Sequence, residues 1–304
     1  MSRRIEILFQ VIAAMAIISV STSSDAQDLE PRRYANLPVG QNFLALAYSY
    51  SEGGLSVSPS TPLEDANLRI DGPALAYLRT FDIGGKSSSL DFALPYACVS
   101  GSALLDGERI SGQRCGFADA LARISYNFFG APAIELSKFG GQPKQVVVGA
   151  SVQVSMPTGD YDNTKLVNIG SNRWYIRPEI GVTIPWRELS FEFAAGVRFF
   201  TDNDDFLEGS RLEQDPLYNL QAHIHYDFSR RQSVSVSGNY FFGGETFRDG
   251  SQSAIRQGNS RLGASWTYAF NSKHIMKLVA HTGVITRLGN DSDVLTIAWS
   301  YRWD

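Results

Sequence analysis

Three residues at alternate positions, His223, His225 and Asp227, form the strongest candidate site for chemistry in this chain. In an extended strand their side chains project from one face, and imidazole and carboxylate groups at this spacing can bind a transition metal. Asn219 and Gln221 continue the same polar row, and the sequence identifies no further ligand on another strand. We therefore predict a hydrogen-bonded polar wall, with no metal and no cofactor.

A hydrolytic site is the second chemistry that the residues suggest. A lipase built on a barrel needs a serine, a histidine and an orienting carboxylate or amide in one cluster. Ser265 and His281, on neighbouring predicted strands, are the nearest approach to such a cluster. Pairs of this kind arise by chance in a serine-rich chain, so we predict no catalytic residue and no enzymatic activity.

Cys98 and Cys115 are the only cysteines, and they flank one predicted external loop. In an oxidising compartment, two cysteines that close a short loop are expected to form a disulfide, worth on the order of 3 kcal/mol in the chain-entropy model. Two reduced cysteines are the alternative.

Residues 201–215 contain six carboxylates and one basic residue, Arg211. Carboxylates at this density can hold calcium, or can meet lipopolysaccharide phosphates through divalent ions, but the ordered ligand spacing of a dedicated calcium site is missing. We interpret the stretch as a solvated loop and leave divalent binding open. The net charge of −4 and the lack of a basic patch argue against a nucleic-acid partner.

The elements that position these residues alternate large apolar residues with small or polar ones. In the last of them Leu295, Ile297, Trp299, Tyr301 and Trp303 share one face. Each such stretch has about the length that a tilted strand needs to cross a bilayer. The predicted strands are 44–50, 75–81, 90–96, 120–126, 148–154, 174–184, 191–199, 218–226, 234–242, 262–270, 276–284 and 292–303.

The apolar faces of these strands carry almost no charge, which fits lipid better than the core of a sandwich. The predicted fold class is all-β, a single antiparallel transmembrane outer-membrane β-barrel of about 12 strands. Short turns alternate with long polar loops at 51–70, 99–116, 157–172, 201–215 and 243–258, and the connection 129–144 is predicted to contain a short helix. Residues predicted to line the lumen are Arg123, Arg177, Glu179, Glu192, Arg198, Gln221, His223, His225, Asp227, Lys277 and His281.

The pattern divides the chain into three parts. Residues 1–26 carry Arg3, Arg4, an apolar run and a small-x-small cleavage site, which predict a removed signal peptide; a membrane anchor is the alternative. Residues 43–304 form the barrel. Residues 27–42 are predicted to plug the lumen, with a mobile periplasmic tail as the alternative.

In the plug hypothesis, Arg32 and Arg33 find acidic partners in the lumen. A wet pore screens such ion pairs, so they are expected to hold the segment only loosely. The acidic partners predicted for them are Asp91, Asp119, Glu179, Glu192 and Asp227.

Several loop and turn motifs together resemble the outer-membrane transporter-like proteins of a MetA pathway of phenol degradation. The resemblance covers nearly the whole mature chain and implies an outer-membrane barrel that handles aromatic or other hydrophobic compounds. The family's Gly-x-Gly-Asp pattern is altered here, because Ala118 replaces the second glycine of residues 116–119. The motifs are 34–42 (YANLPVGQN), 79–82 (RTFD) with Gly85-Lys86, 94–96 (LPY), 157–161 (PTGDY), 168–174 (NIGSNRW) and 214–217 (QDPL).

These observations predict a channel in the bacterial outer membrane, exported through the periplasm, that passively admits small hydrophobic compounds, aromatic ones included. Two alternatives belong to other classes: a structural or adhesion-type barrel that binds a partner through its external loops, and a lipid-modifying enzyme. The expected partners are outer-membrane lipid and lipopolysaccharide, a small hydrophobic or aromatic solute, and the barrel-assembly machinery.

Overall fold

A computed structural model of the chain describes residues 29–56, 63–105, 108–140, 142–165, 167–287 and 289–304. The predicted signal peptide, residues 1–26, lies outside the described residues. So do residues 27 and 28 of the predicted N-terminal segment. Within the described ranges, no helix is long and apolar enough to cross a membrane.

The described part of the chain consists mainly of strands, with one short helix between the fifth and the sixth. The helix α1 (Leu136–Phe139) lies within the connection where a short helix was predicted. The strands are β1 (Asn42–Ser56), β2 (Leu63–Ile83), β3 (Lys86–Leu105), β4 (Glu108–Phe117), β5 (Ala120–Phe129), β6 (Val147–Met156), β7 (Tyr175–Trp186), β8 (Leu189–Phe200), β9 (Asn203–Phe206), β10 (Ser210–Gln214), β11 (Leu217–Asp227), β12 (Gln232–Gly243), β13 (Thr246–Arg248), β14 (Ser251–Ala254), β15 (Gln257–Ala269), β16 (His274–Ile285) and β17 (Gly289–Trp303).

Twelve of these strands form a closed antiparallel barrel, so the predicted fold class is confirmed. In ring order they are β1, β2, β3, β5, β6, β7, β8, β11, β12, β15, β16 and β17. The ring closes where β1 pairs with β17, from Asn42 opposite Trp303 to Ser56 opposite Gly289. Closure removes the sheet edges, which is what a strand protein needs in a bilayer that offers no water to free backbone groups.

The wall is apolar outside and polar inside, the reverse of a soluble sandwich. Along β11, exposed and buried residues alternate without a break. Leu220 is 50% exposed while its neighbour Gln221 is 4% exposed, so the apolar row faces outwards. Aromatic rings gather near the strand ends, as in the Tyr218–Phe242 and Tyr301–Trp303 pairs. This is the side-chain distribution of a transmembrane barrel.

One end of the barrel, here called the turn end, carries the short turns, the start of β1 and the end of β17. The opposite end, the loop end, differs from the expectation of long polar loops at 99–116, 201–215 and 243–258. There β4 pairs with the outer half of β3, and β9, β10, β13 and β14 form a separate four-stranded sheet. These hairpins are short and polar on both faces, so they lack the long apolar row by which the wall strands were recognised.

The predicted disulfide between Cys98 and Cys115 is present. The two residues lie directly opposite each other in the β3–β4 ladder. The bond therefore fastens the hairpin that rises from the barrel wall at the loop end.

Candidate functional site

The barrel interior is occupied by residues 29–36, here called the interior segment. Leu29, Glu30, Arg32, Arg33 and Tyr34 are all buried. Their contacts reach β3, β5, β6, β7, β8, β11 and β15, more than half of the ring. The segment therefore lies across the lumen.

The next residues attach the segment to the wall at the turn end, directly before β1. Gly40 donates its backbone N–H to the carbonyl of Thr80 at 3.0 Å, and Thr80 donates to that of Gln41 at 2.9 Å. Val39 donates to the carbonyl of Ile134, also at 3.0 Å. Residues 37–41 thus belong to the wall, and the part that crosses the lumen is shorter than the predicted 27–42.

Glu30 is the centre of the interior charge network. Arg123 donates to both of its carboxylate oxygens, at 2.8 and 2.9 Å, and Arg177 donates to it at 3.1 Å. Arg33 Nε lies 2.8 Å from the same carboxylate. Burial raises the pKa of Glu30, but the guanidinium groups of Arg33 and Arg177 lower it by more, so the pKa lies below its ordinary value. Glu30 is therefore held ionised.

Arg32 lies against the inward-facing side chains of β11, the row that includes His223 and His225. Its backbone N–H donates to Glu192, and its Nη1 lies 2.5 Å from His225 Nε2 and 3.4 Å from Asp227 Oδ1. Lys144 Nζ lies 3.2 Å from the other oxygen of Asp227. Two of the three side chains that suggested a metal site, His225 and Asp227, thus contact an arginine.

Arg33 reaches Asp91, with 3.8 Å between Nη1 and Oδ1. Of the acids predicted as partners for the two arginines, Asp91, Glu192 and Asp227 contact them, whereas Asp119 and Glu179 bind other groups. The expectation of loose, solvent-screened pairs is wrong for this structure, because both partners of the Arg32–Asp227 pair are buried.

Tyr34 fits a recess that we call the tyrosine socket, formed by Gly149, Gly181, Ser151 and Glu179. The two glycines face each other across β6 and β7, and a Cβ atom at either would overlap the Tyr34 ring. Ser151 and Glu179 are opposite each other two residues further along, and each lies 3.1 Å from the Tyr34 hydroxyl. The socket therefore contacts both the ring and the hydroxyl group of Tyr34.

The structure places all eleven predicted lumen residues on the inner row of the wall. The guanidinium of Arg198 stacks 4.2 Å from the Tyr175 ring, and Gln221 accepts the Glu30 backbone N–H at 3.4 Å. His223 Nδ1 pairs with Ser237, and Lys277 is buried. Arg123, Arg177, Glu179, Glu192, His225 and Asp227 contact the interior segment as described above.

The remaining residue of that set, His281, does not join Ser265. Its Nδ1 lies 3.1 Å from Arg261 Nη1, while Ser265 Oγ is 2.7 Å from the hydroxyl of Ser235. In the described residues, therefore, these two side chains do not make the serine–histidine contact that a triad requires.

At the loop end, Asp119 fastens Gly159 and Ser171, two residues of the predicted loop 157–172, to the wall. Its carboxylate accepts the backbone N–H groups of Gly159 and Ser171, each at 2.9 Å. The loop also brings Ile169 into a buried cluster with Ala118, the residue that departs from the family pattern. Motifs that resembled the family in sequence thus meet in space at this end.

Beside this loop lies a cavity of about 670 Å³, which we call the outer cavity. Its wall is the disulfide-fastened β3–β4 hairpin on one side and Asp162, Lys165 and Val167 on the other. The lining is mainly apolar and includes Leu68, Val99, Ala103, Ile110 and Val167. Its charged residues are Arg114, Asp162 and Lys165. A volume of this size suits a small molecule.

Comparison with known proteins identifies the family. A family model described as "Putative MetA-pathway of phenol degradation" matches residues 48–284. The chain belongs to this family. The predicted resemblance is therefore confirmed, and it covers most of the barrel wall. A comparison with curated proteins found no match.

Solved structures show the same fold in outer-membrane proteins. An outer membrane channel from Pseudomonas putida F1 is 20% identical, with a TM-score of 0.80 over 91% of this chain and 100% of that one. The transport unit of the autotransporter AIDA-I from Escherichia coli is 8% identical, with a TM-score of 0.53 over 98% of both chains. The translocator domain of the autotransporter NalP from Neisseria meningitidis is 7% identical, with a TM-score of 0.52 over 86% of this chain and 88% of that one. The member of the MetA-pathway family described here thus has the fold of an outer-membrane β-barrel channel.

Proposed function

We propose that this protein is an outer-membrane channel for the passive uptake of small hydrophobic compounds, aromatic ones included. The observation that carries the proposal is the interior segment. It crosses a polar lumen that is closed on all sides, and its polar contacts with the wall are made through side chains. Movement of the segment would open such a lumen. The backbone hydrogen bonds between the wall strands would stay intact, because the segment takes no part in them.

The outer cavity supports the choice of solute. It is apolar, has the volume of a small-molecule site, and lies at the loop end, where a compound from outside the cell would first meet the protein. The similar solved structure from Pseudomonas putida is an outer membrane channel, and the family description concerns phenol degradation. The first supports a channel, and the second supports an aromatic solute.

The outer surface of the barrel supports the remaining expectations about location. Its apolar row, with Ile180 at 53% and Phe193 at 51% exposed, fits the acyl chains of outer-membrane lipid. We expect lipopolysaccharide headgroups to meet the acidic residues of the loop-end sheet. Export through the periplasm and insertion by the barrel-assembly machinery follow from such a location.

Uptake into vesicles with lipopolysaccharide in the outer leaflet tests the proposal, since a plain phospholipid bilayer lets small aromatic compounds pass unaided. We compare the mature barrel with a variant lacking residues 27–36, which keeps the wall-bound residues 37–41. Entry of 4-methylphenol is expected to be faster with either protein than in protein-free vesicles, and fastest with the truncated one.

The control is correct assembly of both barrels, read from their slower unfolding and altered migration in unheated detergent gels. If both assembled barrels give the rate of protein-free vesicles, the channel proposal is wrong. Hydrolysis of the vesicle lipids by the full-length barrel would favour the enzyme instead.

A further inference from the structure

The tyrosine socket contains two glycines that form the third residue pair of the β6–β7 ladder. Glycine in a strand interior is unfavourable, because it adds backbone freedom to the unfolded chain and no side chain to pack, and it often marks a close approach by another group. Gly149 and Gly181 face inwards and lie opposite each other. Together they leave a strip of backbone against which the Tyr34 ring lies.

The far end of the socket recognises a hydroxyl group. Ser151 and Glu179 both lie 3.1 Å from the Tyr34 oxygen, and Asn219 donates to the second carboxylate oxygen of Glu179 at 3.3 Å. Burial raises the pKa of Tyr34, and the neighbouring Glu179 carboxylate raises it further. The hydroxyl group therefore stays protonated and donates a hydrogen bond to Glu179.

We propose that the tyrosine socket is a binding site for neutral phenols, and that Tyr34 occupies it as an internal substitute for the solute. The side chain of tyrosine is 4-methylphenol attached through its methyl carbon. A recess that accepts this side chain on both its ring face and its hydroxyl therefore fits the free compound when the segment withdraws. The inference rests on the proposed channel function, because the solute reaches the socket through the lumen.

The socket distinguishes phenols from plain aromatic hydrocarbons. Methylbenzene fills the strip between the glycines equally well, but it offers no hydroxyl group to Ser151 or to the Glu179 oxygen that Tyr34 contacts. A buried polar group that loses its partner weakens binding by about tenfold or more. The predicted ligands are thus phenols that carry a single small substituent opposite the hydroxyl.

Binding measured on the purified full-length barrel tests this inference. The Tyr34→Gly variant empties the socket, whereas Tyr34→Phe keeps the ring in place. By calorimetry, 4-methylphenol is expected to bind Tyr34→Gly at least tenfold more tightly than Tyr34→Phe, and at least tenfold more tightly than methylbenzene binds the same variant. Equal affinities in either comparison overturn the proposal.

A second pair of changes, both made in the Tyr34→Gly background, locates the ligand. Gly181→Ala places a methyl group where the ring would lie, and is expected to lower the affinity for 4-methylphenol about tenfold. Gly238→Ala is the matched control, because a Cβ there meets only a backbone oxygen at 3.8 Å. If the two substitutions change the affinity equally, the phenol binds elsewhere and the proposal is wrong.

The two proposals fail separately. Selective binding by Tyr34→Gly without any uptake by the truncated barrel supports the socket and contradicts the channel. Uptake without selective binding supports the channel and contradicts the socket.

Discussion

Neighbouring strands of the barrel wall are joined by backbone hydrogen bonds in register, fifteen residue pairs long between β1 and β17. The interior segment instead meets the wall through side chains: a carboxylate among arginines, an arginine beside a histidine, a tyrosine between glycines. Backbone pairing is indifferent to most side chains, whereas buried side-chain pairs depend on each partner. A single substitution should therefore release the segment and leave the wall assembled.

Glu30→Gln is expected to have the largest effect of the substitutions. It should weaken the docking of the interior segment and leave the stability of the wall unchanged. It leaves the buried Arg123 and Arg177 without their carboxylate, which costs about 3–5 kcal/mol of docking free energy by analogy with broken buried ion pairs. Protease cleavage of the segment and channel conductance should both rise, while urea unfolding of the wall stays unchanged. A segment that remains protected in this variant would show that the wall holds it by other means.

The same carboxylate gives the segment a dependence on pH. Because the folded-state pKa of Glu30 lies below the ordinary 4.5, its contribution to docking is complete above pH 4.5 and is lost as the pH falls through the lower folded value. Conductance of the parent barrel is therefore expected to rise on acidification in that range. Glu30→Gln is the control, since it lacks the titrating group; an equal rise in that variant would contradict the assignment.

Leu220→Arg should affect the wall alone. Leu220 lies on the outer row, where an arginine near the bilayer midplane costs about 2–4 kcal/mol, measured by urea unfolding in vesicles. Gln221→Arg, one residue further on, is expected to change the unfolding free energy far less, because its side chain faces the lumen. Equal losses in the two variants would contradict the assigned inner and outer rows.

Gly181→Ala is expected to have an intermediate effect on the segment. The added methyl group overlaps the Tyr34 ring, and overpacking of this kind typically costs about 1–3 kcal/mol. Conductance should rise less than in Glu30→Gln, and Gly238→Ala should match the parent barrel. If Gly181→Ala also matches the parent, Tyr34 does not occupy the socket in the membrane.

Arg211→Ala, in the sheet at the loop end, should have the smallest effect. Arg211 contacts Asp202, Asp204 and Glu213, but these groups are largely exposed, so their attraction is screened by solvent. No measurable change in melting temperature or conductance is expected. A clear fall in melting temperature would mean that this sheet braces the wall.

The wall strands could be predicted from sequence because the pattern that identifies them lies within each strand. Alternation of large apolar with small or polar residues requires only that each strand has lipid on one side and the lumen on the other. Eleven of the twelve predicted strands carry it clearly, whereas the phase of residues 75–81 is ambiguous because Leu78, a large apolar residue, lies on the buried inner row. The disulfide was predictable for a similar reason, since Cys98 and Cys115 flank one hairpin. Where both faces of a hairpin are polar, as in β9 and β10, alternation gives no signal.

The interior segment was predictable only as one of two alternatives. Arg32 and Arg33 suggested ion pairs, but the sequence does not show that Glu30 gathers two arginines from strands far along the chain. Tyr34 appeared within a family motif, but the sequence does not show which residues contact its ring. Contacts of this kind depend on the three-dimensional closure of the ring, which no local pattern encodes. Gly149 and Gly181 were the one available sign, since each interrupts a wall strand.

The attachment of residues 37–41 to Thr80 and Ile134 keeps Tyr34 near its socket during any opening. Tyr34 is tied to the wall a few residues away, so its effective concentration at the socket is in the millimolar range or above whenever it withdraws. A phenol from outside the cell therefore competes for the socket with the tethered Tyr34 side chain, which stays close to the socket. Occupancy of the lumen by solute should therefore rise in proportion to the external supply and fall promptly when the supply ends, without any second site to sense it.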